Sequence, residues 1–170
     1  MKRLSLAASL FAVAVVAPPL SAQASSRDLD DLLDLIKQSG TEVVARTNHQ
    51  ERGCLEVTGF YTFDKDKKID RLTICKDNVS MDDPEQVWEV VAHESTHIMQ
   101  ACVGGLAFVD EEHPTMARAL SVKAPHYAKL VDGYSSEDAL HETEAFWMEL
   151  QHPSDVVGYF RNSCFKQEEK

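Results

Sequence analysis

The chain has 170 residues, of which 44% are apolar, so it is long enough to bury one hydrophobic core, and its length predicts a single domain. Its formal charge of −11 excludes proteins that bind nucleic acids or anionic membranes through a basic face. The four cysteines have no C-x-x-C spacing, which argues against a cysteine-based zinc site.

The first 24 residues have the composition of a signal peptide. Lys2 and Arg3 form a short basic start, residues 4–17 are almost wholly apolar, and Ala22-Gln23-Ala24 supplies an A-x-A cleavage site. The apolar run is short for a membrane anchor, which needs about 20 residues. We therefore expect a periplasmic or secreted protein without stable membrane association, with one domain over residues 25–170. Loss of the two cations takes its formal charge from −11 to −13.

The mature chain is predicted to start with a helix and to continue with a small β region. Apolar residues recur at helical spacing over residues 27–39. Residues 42–45, 55–63 and 69–75 are rich in β-branched and aromatic side chains, and the charged turn 64–68 separates the last two segments. Those two segments therefore predict an antiparallel hairpin.

Four cysteines in an exported chain predict two disulfides, for which three pairings are possible. If the hairpin is symmetric about its turn, Cys54 and Cys75 meet at its open end. We therefore favour the Cys54–Cys75 pairing, which leaves Cys102–Cys164 as the second bond. The second bond would tie the end of the next helix to the C-terminal segment.

A helix with clear end signals follows the hairpin. Asp83 is a suitable N-cap, Pro84 suits the first helical position, and Gln86 completes a capping-box pattern. Gly104-Gly105 is predicted to end the helix.

Two histidines on this helix lie four residues apart. His93 and His97 therefore point the same way, so that two neutral imidazoles can reach one tetrahedral metal. Glu94 adds a carboxylate that can take a proton from water at the metal. Neighbouring positions 90–92 and 98–99 are uncharged, as expected behind a metal site. The pattern resembles the H-E-x-x-H motif of the zincin superfamily of zinc metallopeptidases.

A catalytic zinc site needs a third protein ligand. A metzincin-type histidine would stand six places after His97, where this chain has Val103. A helix predicted over residues 137–151 carries Glu142-Thr143-Glu144-Ala145, which resembles the E-x-x-A segment that supplies the third ligand in glutamate-type zincins. That resemblance implies Glu142 as the third ligand.

Glu144 is the alternative third ligand. Two residues on a helix are separated by roughly 200° of rotation, so only one of the two carboxylates can face the metal. An apolar stripe on the same helix is predicted to face the core, and Glu142 flanks it slightly more closely than Glu144. The stripe consists of Ala139, Leu140, Phe146, Trp147 and Leu150. We prefer Glu142 and leave Glu144 open.

Two further roles follow from the resemblance. A hydrogen-bond donor should stabilise the oxyanion, and an exposed strand edge could hold an extended peptide. The strand-edge candidates are residues 59–61 and 72–74. The donor candidates are His113, His126, Tyr127 and Tyr134. Short helices are expected from His113 onwards, at residues 125–132 and 155–164 among others.

The sequence therefore predicts an α+β fold with a minimal zincin-like core. In it, a small antiparallel sheet packs on the H-E-x-x-H helix and on a C-terminal glutamate-bearing helix. The resemblance implies a metallopeptidase with one Zn²⁺ per chain, held by His93, His97 and Glu142, and with Glu94 as general base. Its partners would be peptide or protein substrates and not nucleic acid. The alternative is a non-catalytic, zinc-stabilised binding module of the cell envelope, in which a fourth protein ligand replaces water.

Overall fold

The computed structural model describes residues 25–165, which form an α+β fold. The helices in this part of the chain are α1 (Ser26–Gln38), α2 (Pro84–Val103), α3 (His113–Lys123), α4 (Pro125–Val131), α5 (Ser136–Glu149) and α6 (Pro153–Cys164). The strands are β1 (Glu42–Arg46), β2 (Gly59–Asp64) and β3 (Ile69–Cys75). The predicted signal peptide, residues 1–24, lies outside the described residues. Within residues 25–165, none of the helices has the length and apolar character needed to cross a membrane.

The sheet is mixed, so the prediction of an antiparallel sheet is wrong for one of its strands. β2 pairs antiparallel with β3, as the predicted hairpin requires, but β1 pairs parallel with β3 on the other side. β3 takes the centre because its second half, residues 72–75, is buried. Residues 47–58 between β1 and β2 are too long a connection for a tight hairpin, so these two strands need not pair with each other.

The strand order leaves β2 at one edge of the sheet. Residues 72–74 lie in the central strand, with partners on both sides, and so cannot supply the open edge for which they were a candidate. Residues 59–61, in the edge strand β2, remain the candidate for the open strand edge. The predicted strand at 55–63 also begins later than expected, because Arg52–Leu55 forms a 3-10 turn and β2 starts only at Gly59.

Both predicted disulfides are present. Cys54 is bonded to Cys75, and Cys102 is bonded to Cys164. The first closes the open end of the hairpin, and the second ties the last turn of α2 to the end of α6. The helix that carries both histidines is therefore covalently anchored at its C-terminal end.

α2 is the central element, in contact with the sheet, α1, α5 and α6. The Asp83 side chain accepts hydrogen bonds from the backbone N–H groups of Glu85 and Gln86, and Gly104 ends the helix with a left-handed φ of 78°. The predicted capping box is incomplete, because the Gln86 side chain bonds to the Asp83 carboxylate and to the Ser80 N–H. The apolar side chains of α2 in the core are Val87, Trp88, Val90, Val91, Ala92, Ile98 and Met99.

The core-facing side of α5 differs from the predicted stripe. Leu140 is 41% exposed, whereas Glu144 is completely buried. The buried residues of the helix are Thr143, Glu144, Ala145, Phe146 and Met148. The prediction failed because it treated polar residues as outward-facing, and a carboxylate that finds enough donors can be buried.

Candidate metal centre

Three predicted ligands converge between α2 and α5. Nε2 of His93 lies 3.4 Å from Oε2 of Glu142, and Nε2 of His97 lies 3.7 Å from Oε1 of the same carboxylate. One ligand atom from each residue can be chosen so that all lie within 4.8 Å of one another. Two imidazole nitrogens and one carboxylate oxygen at these distances can hold a metal ion.

The opposite nitrogen of each imidazole is held by a hydrogen-bond acceptor. Nδ1 of His93 is 2.7 Å from Oε1 of Glu149, and Nδ1 of His97 is 2.9 Å from Oε1 of Gln100. In the neutral rings both Nδ1 atoms therefore donate, and both Nε2 atoms direct a lone pair towards Glu142. Lone pairs and a carboxylate that face each other need a cation between them, so the donor set fits a metal.

Sequence reasoning missed both orienting residues, although helical spacing contains a signal for each. Gln100 stands three residues after His97 on α2, and Glu149 stands seven residues, about two turns, after Glu142 on α5. Each therefore lies on the same face as a predicted ligand. The pairing of Glu149 with His93 joins two different helices, so spacing alone does not reveal it.

Glu144 does not reach the histidines. Its side chain is fully buried, and its two oxygens accept four hydrogen bonds. The donors are Gln100 Nε2 at 2.9 Å, the Ala107 backbone N at 2.9 Å, the Phe108 backbone N at 3.0 Å and His113 Nε2 at 2.8 Å. Of the two glutamates left open by the sequence, only Glu142 lies beside both histidines.

Comparison of the chain with protein-family models, with curated proteins and with solved structures gives no match. The site must therefore be interpreted from its own side chains. Two properties matter most for that interpretation: the protonation states of the clustered groups and the shape of the cleft above them.

In the metal-free protein, the carboxylates around His93 favour its protonated form. Burial opposes protonation of His93, but its hydrogen bonds to Glu142 and Glu149 raise its pKa to about 10. Burial and the His93 cation lower the pKa of His97, so that ring is neutral near pH 7. Burial tends to raise the pKa of Glu142, but the hydrogen bond from His93 lowers it overall. A metal ion would replace the His93 proton.

Glu94 lies at the floor of the cleft, next to His93 in the chain. Only 6% of the residue is exposed. This burial raises the pKa of its carboxyl to about 7, with the His93 cation opposing the shift and Glu142 adding to it. The backbone amide of Tyr61 in β2 also favours the ionised form. A carboxyl with a pKa near 7 can both accept and return a proton at neutral pH.

A cleft of about 620 Å³ opens over these groups. Its walls are formed by residues 56–61 at the start of β2, by one face of α2, and by side chains from α4 and α5. It is lined by Glu56, Glu89, Glu94, Glu142 and Glu149, and by no lysine or arginine among the described residues. The electrostatic potential of the cleft is therefore negative, which favours a bound cation and disfavours anionic ligands.

The four candidate oxyanion donors lie in different places. His113 is bound to Glu144, and His126 packs against Tyr127 with its ring tilted by 50° and does not line the cleft. Tyr127 lines the cleft, but its hydroxyl interacts with the Glu149 carboxylate, which together with burial raises the pKa of that hydroxyl. Tyr134 lines the cleft, is 45% exposed, and has no side-chain partner among the described residues. Of the four, Tyr134 is thus the available donor.

Proposed function

We propose that the protein is a zinc-dependent hydrolase of peptide bonds with a zincin-like core. One observation supports this above all: His93, His97 and Glu142 converge at an open cleft with the buried carboxylate of Glu94 beside them. Among the side chains that the structure describes, no fourth histidine, cysteine or carboxylate joins the three. That leaves a coordination position for water, as in catalytic zinc sites, whereas structural zinc sites fill it with protein.

Two imidazoles and one carboxylate form a donor set that is typical of catalytic zinc. A zinc ion bound there would supply an activated water and a polarised scissile carbonyl. Glu94 would accept the proton released by the attacking water and deliver it to the leaving amine nitrogen. Its pKa of about 7 in the metal-free protein suits both transfers.

Two further groups would act on the substrate. The Tyr134 hydroxyl would donate a hydrogen bond to the oxyanion, because it lines the cleft beside Glu142 and has no other partner among the described side chains. The outer edge of β2 at residues 59–61 would bind an extended peptide as an additional strand, through backbone groups other than the Tyr61 N–H, which interacts with Glu94. The peptide would then run along the cleft wall opposite α5.

The two disulfides support an extracytoplasmic location as part of the proposal. Disulfides form and persist in oxidising compartments such as the periplasm or the outside of the cell. The two disulfides would remain intact in such a compartment and would hold the hairpin and the metal helix in place.

The deciding experiment compares the purified protein with its Glu94→Gln variant. We expect about one zinc per chain in both, and we expect the variant to hydrolyse a mixed peptide library about 10²–10⁴-fold more slowly, because it lacks a general base. Glu89→Gln is the matched control, since Glu89 also lines the cleft but lies outside the motif.

Three results would contradict the proposal at different points. Unchanged turnover in Glu94→Gln would reject Glu94 as the base. Zinc binding by the wild type without hydrolysis of any peptide would favour the zinc-stabilised binding module. Failure of the wild type to bind zinc would reject the metal centre itself.

A further inference from the structure

The side chain of Gln100 connects the metal centre to the buried Glu144 cluster. Its Oε1 lies 2.9 Å from Nδ1 of His97. Its Nε2 donates to Oε2 of Glu144 at 2.9 Å and to the backbone carbonyl of His141 at 3.1 Å. Gln100 is itself buried, with 7% exposure. It therefore touches a proposed zinc ligand on one side and a fixed structural carboxylate on the other.

The neighbours of this amide allow only one orientation. The Glu144 carboxylate and the His141 carbonyl are both acceptors, so only the NH₂ end of Gln100 can face them. Reversal of the amide would place an oxygen against two oxygens and leave buried polar groups without partners, which is unfavourable. The Oε1 atom must consequently face His97.

This orientation selects the tautomer of His97. An Nδ1 atom that faces an acceptor carries the hydrogen, and the lone pair then remains on Nε2. Nε2 is the atom of His97 that faces Glu142, at 3.7 Å. A free imidazole populates both tautomers, and only this one presents a lone pair to the metal position.

Glu144 is well suited to hold the amide because it is itself immobilised. Beyond Gln100, its oxygens accept from the backbone N–H groups of Ala107 and Phe108 and from His113 Nε2. These donors come from the loop after α2 and from the start of α3. The carboxylate position is therefore determined by two segments of the chain besides the helix that carries it, and Gln100 transmits it to His97.

We propose that Glu144 and Gln100 are positioning residues of the metal centre: Glu144 orients the Gln100 amide, and Gln100 selects the zinc-binding tautomer of His97. This inference rests on the proposed zinc site but not on hydrolase activity. His93 differs, because the Glu149 carboxylate holds its Nδ1 directly. The two histidines would thus be oriented by different means, one by a charged group and one by an amide.

The test reads the His97 tautomer directly, by ¹⁵N NMR of the metal-free protein with labelled histidines at pH 8. We expect the Nδ1–H form in the wild type. Gln100→Met has a similar length but no acceptor, so we expect a tautomer mixture and about 10–100-fold weaker zinc binding. Gln151→Met is the control for loss of a partly buried glutamine, and both readouts should stay at their wild-type values.

The orientation of the amide is tested in the wild type, without any substitution. The Gln100 NH₂ and the Ala107 N–H donate to the same oxygen of Glu144. Their protons should therefore show a strong nuclear Overhauser effect. Contact of the Gln100 amide protons with the His97 ring instead would overturn the role of Glu144.

The role of Gln100 would be overturned by a pure Nδ1–H form in Gln100→Met. Wild-type zinc affinity in Gln100→Met would overturn it as well. If the wild type bound no zinc, the proposed metal centre would fail, and the tautomer assignment could still be read in the metal-free protein. The two failures are thus distinguishable.

Discussion

Glu142 and Glu144 stand two residues apart on α5 and have opposite surroundings. Glu144 is fully buried, and four fixed donors occupy its oxygens. Glu142 lies at the cleft, where it faces the Nε2 atoms of His93 and His97. The oxygens of Glu144 are fully hydrogen-bonded within the protein. Those of Glu142 face two imidazole nitrogens and need a proton or a metal ion between them.

The comparison teaches how a structural carboxylate differs from a ligand. Burial alone does not distinguish them, because Glu94 is also nearly buried and yet lines the cleft. The number and the kind of neighbouring groups distinguish them. A carboxylate surrounded by N–H donors joins elements together, whereas one that faces lone-pair nitrogens beside a cavity is available for a cation.

The strongest predicted difference between the two glutamates is in zinc affinity. Glu142→Ala should weaken zinc binding on the order of 10³-fold, because one of three ligands is removed. Competition with a chelator of known affinity measures this. Glu89→Ala removes another cleft carboxylate and should leave zinc affinity within a few-fold of wild type. Equal affinities for Glu142→Ala and wild type would show that the third ligand lies elsewhere.

The next effect separates them by stability. Glu144→Ala should lower the free energy of unfolding of the metal-free protein by about 3–5 kcal/mol, because its buried donors lose their acceptor. Urea denaturation with zinc chelated isolates this from metal binding. Glu142→Ala on the same helix removes one partner of His93 and should cost less than Glu144→Ala, because Glu149 still accepts a hydrogen bond from that ring. A loss for Glu144→Ala no larger than that for Glu142→Ala would mean that other groups or water satisfy the donors.

The smallest predicted effect is the pH dependence of zinc binding. The pKa of His93 in the metal-free protein is raised to about 10, so at pH 8 the ring is protonated and must lose that proton to bind zinc. Zinc affinity should therefore rise with pH, by about tenfold per unit between pH 7 and 9. Calorimetry in buffers of different ionisation enthalpy should report about one proton released per zinc at pH 8. Binding without proton release would contradict the His93 assignment.

Much of the fold follows from local patterns. The helices predicted at residues 27–39, 125–132, 137–151 and 155–164 all begin and end within two residues of the predicted positions. Asp83 and Gly104 delimit α2 because a side-chain cap and a left-handed residue are needed at those points. The predicted Cys54–Cys75 bond is also present, but the hairpin register places Thr58 opposite Cys75, and Cys54 reaches Cys75 from the 3-10 turn that precedes β2. For the helix ends, the determining interactions are close in sequence.

The candidate site also combines features that are local in sequence with contacts between distant elements. That His93, Glu94 and His97 share one helix could be predicted from the sequence, because helical spacing is a local property. The tertiary structure was needed to show that Glu142 meets them, that Glu149 holds His93, and that β1 lies parallel to β3. These contacts depend on which surfaces pack together. The side of α5 that faces the metal centre also depends on whether donors for the buried Glu144 are available nearby. Spacing along the chain carries no information about partners that arrive from other elements.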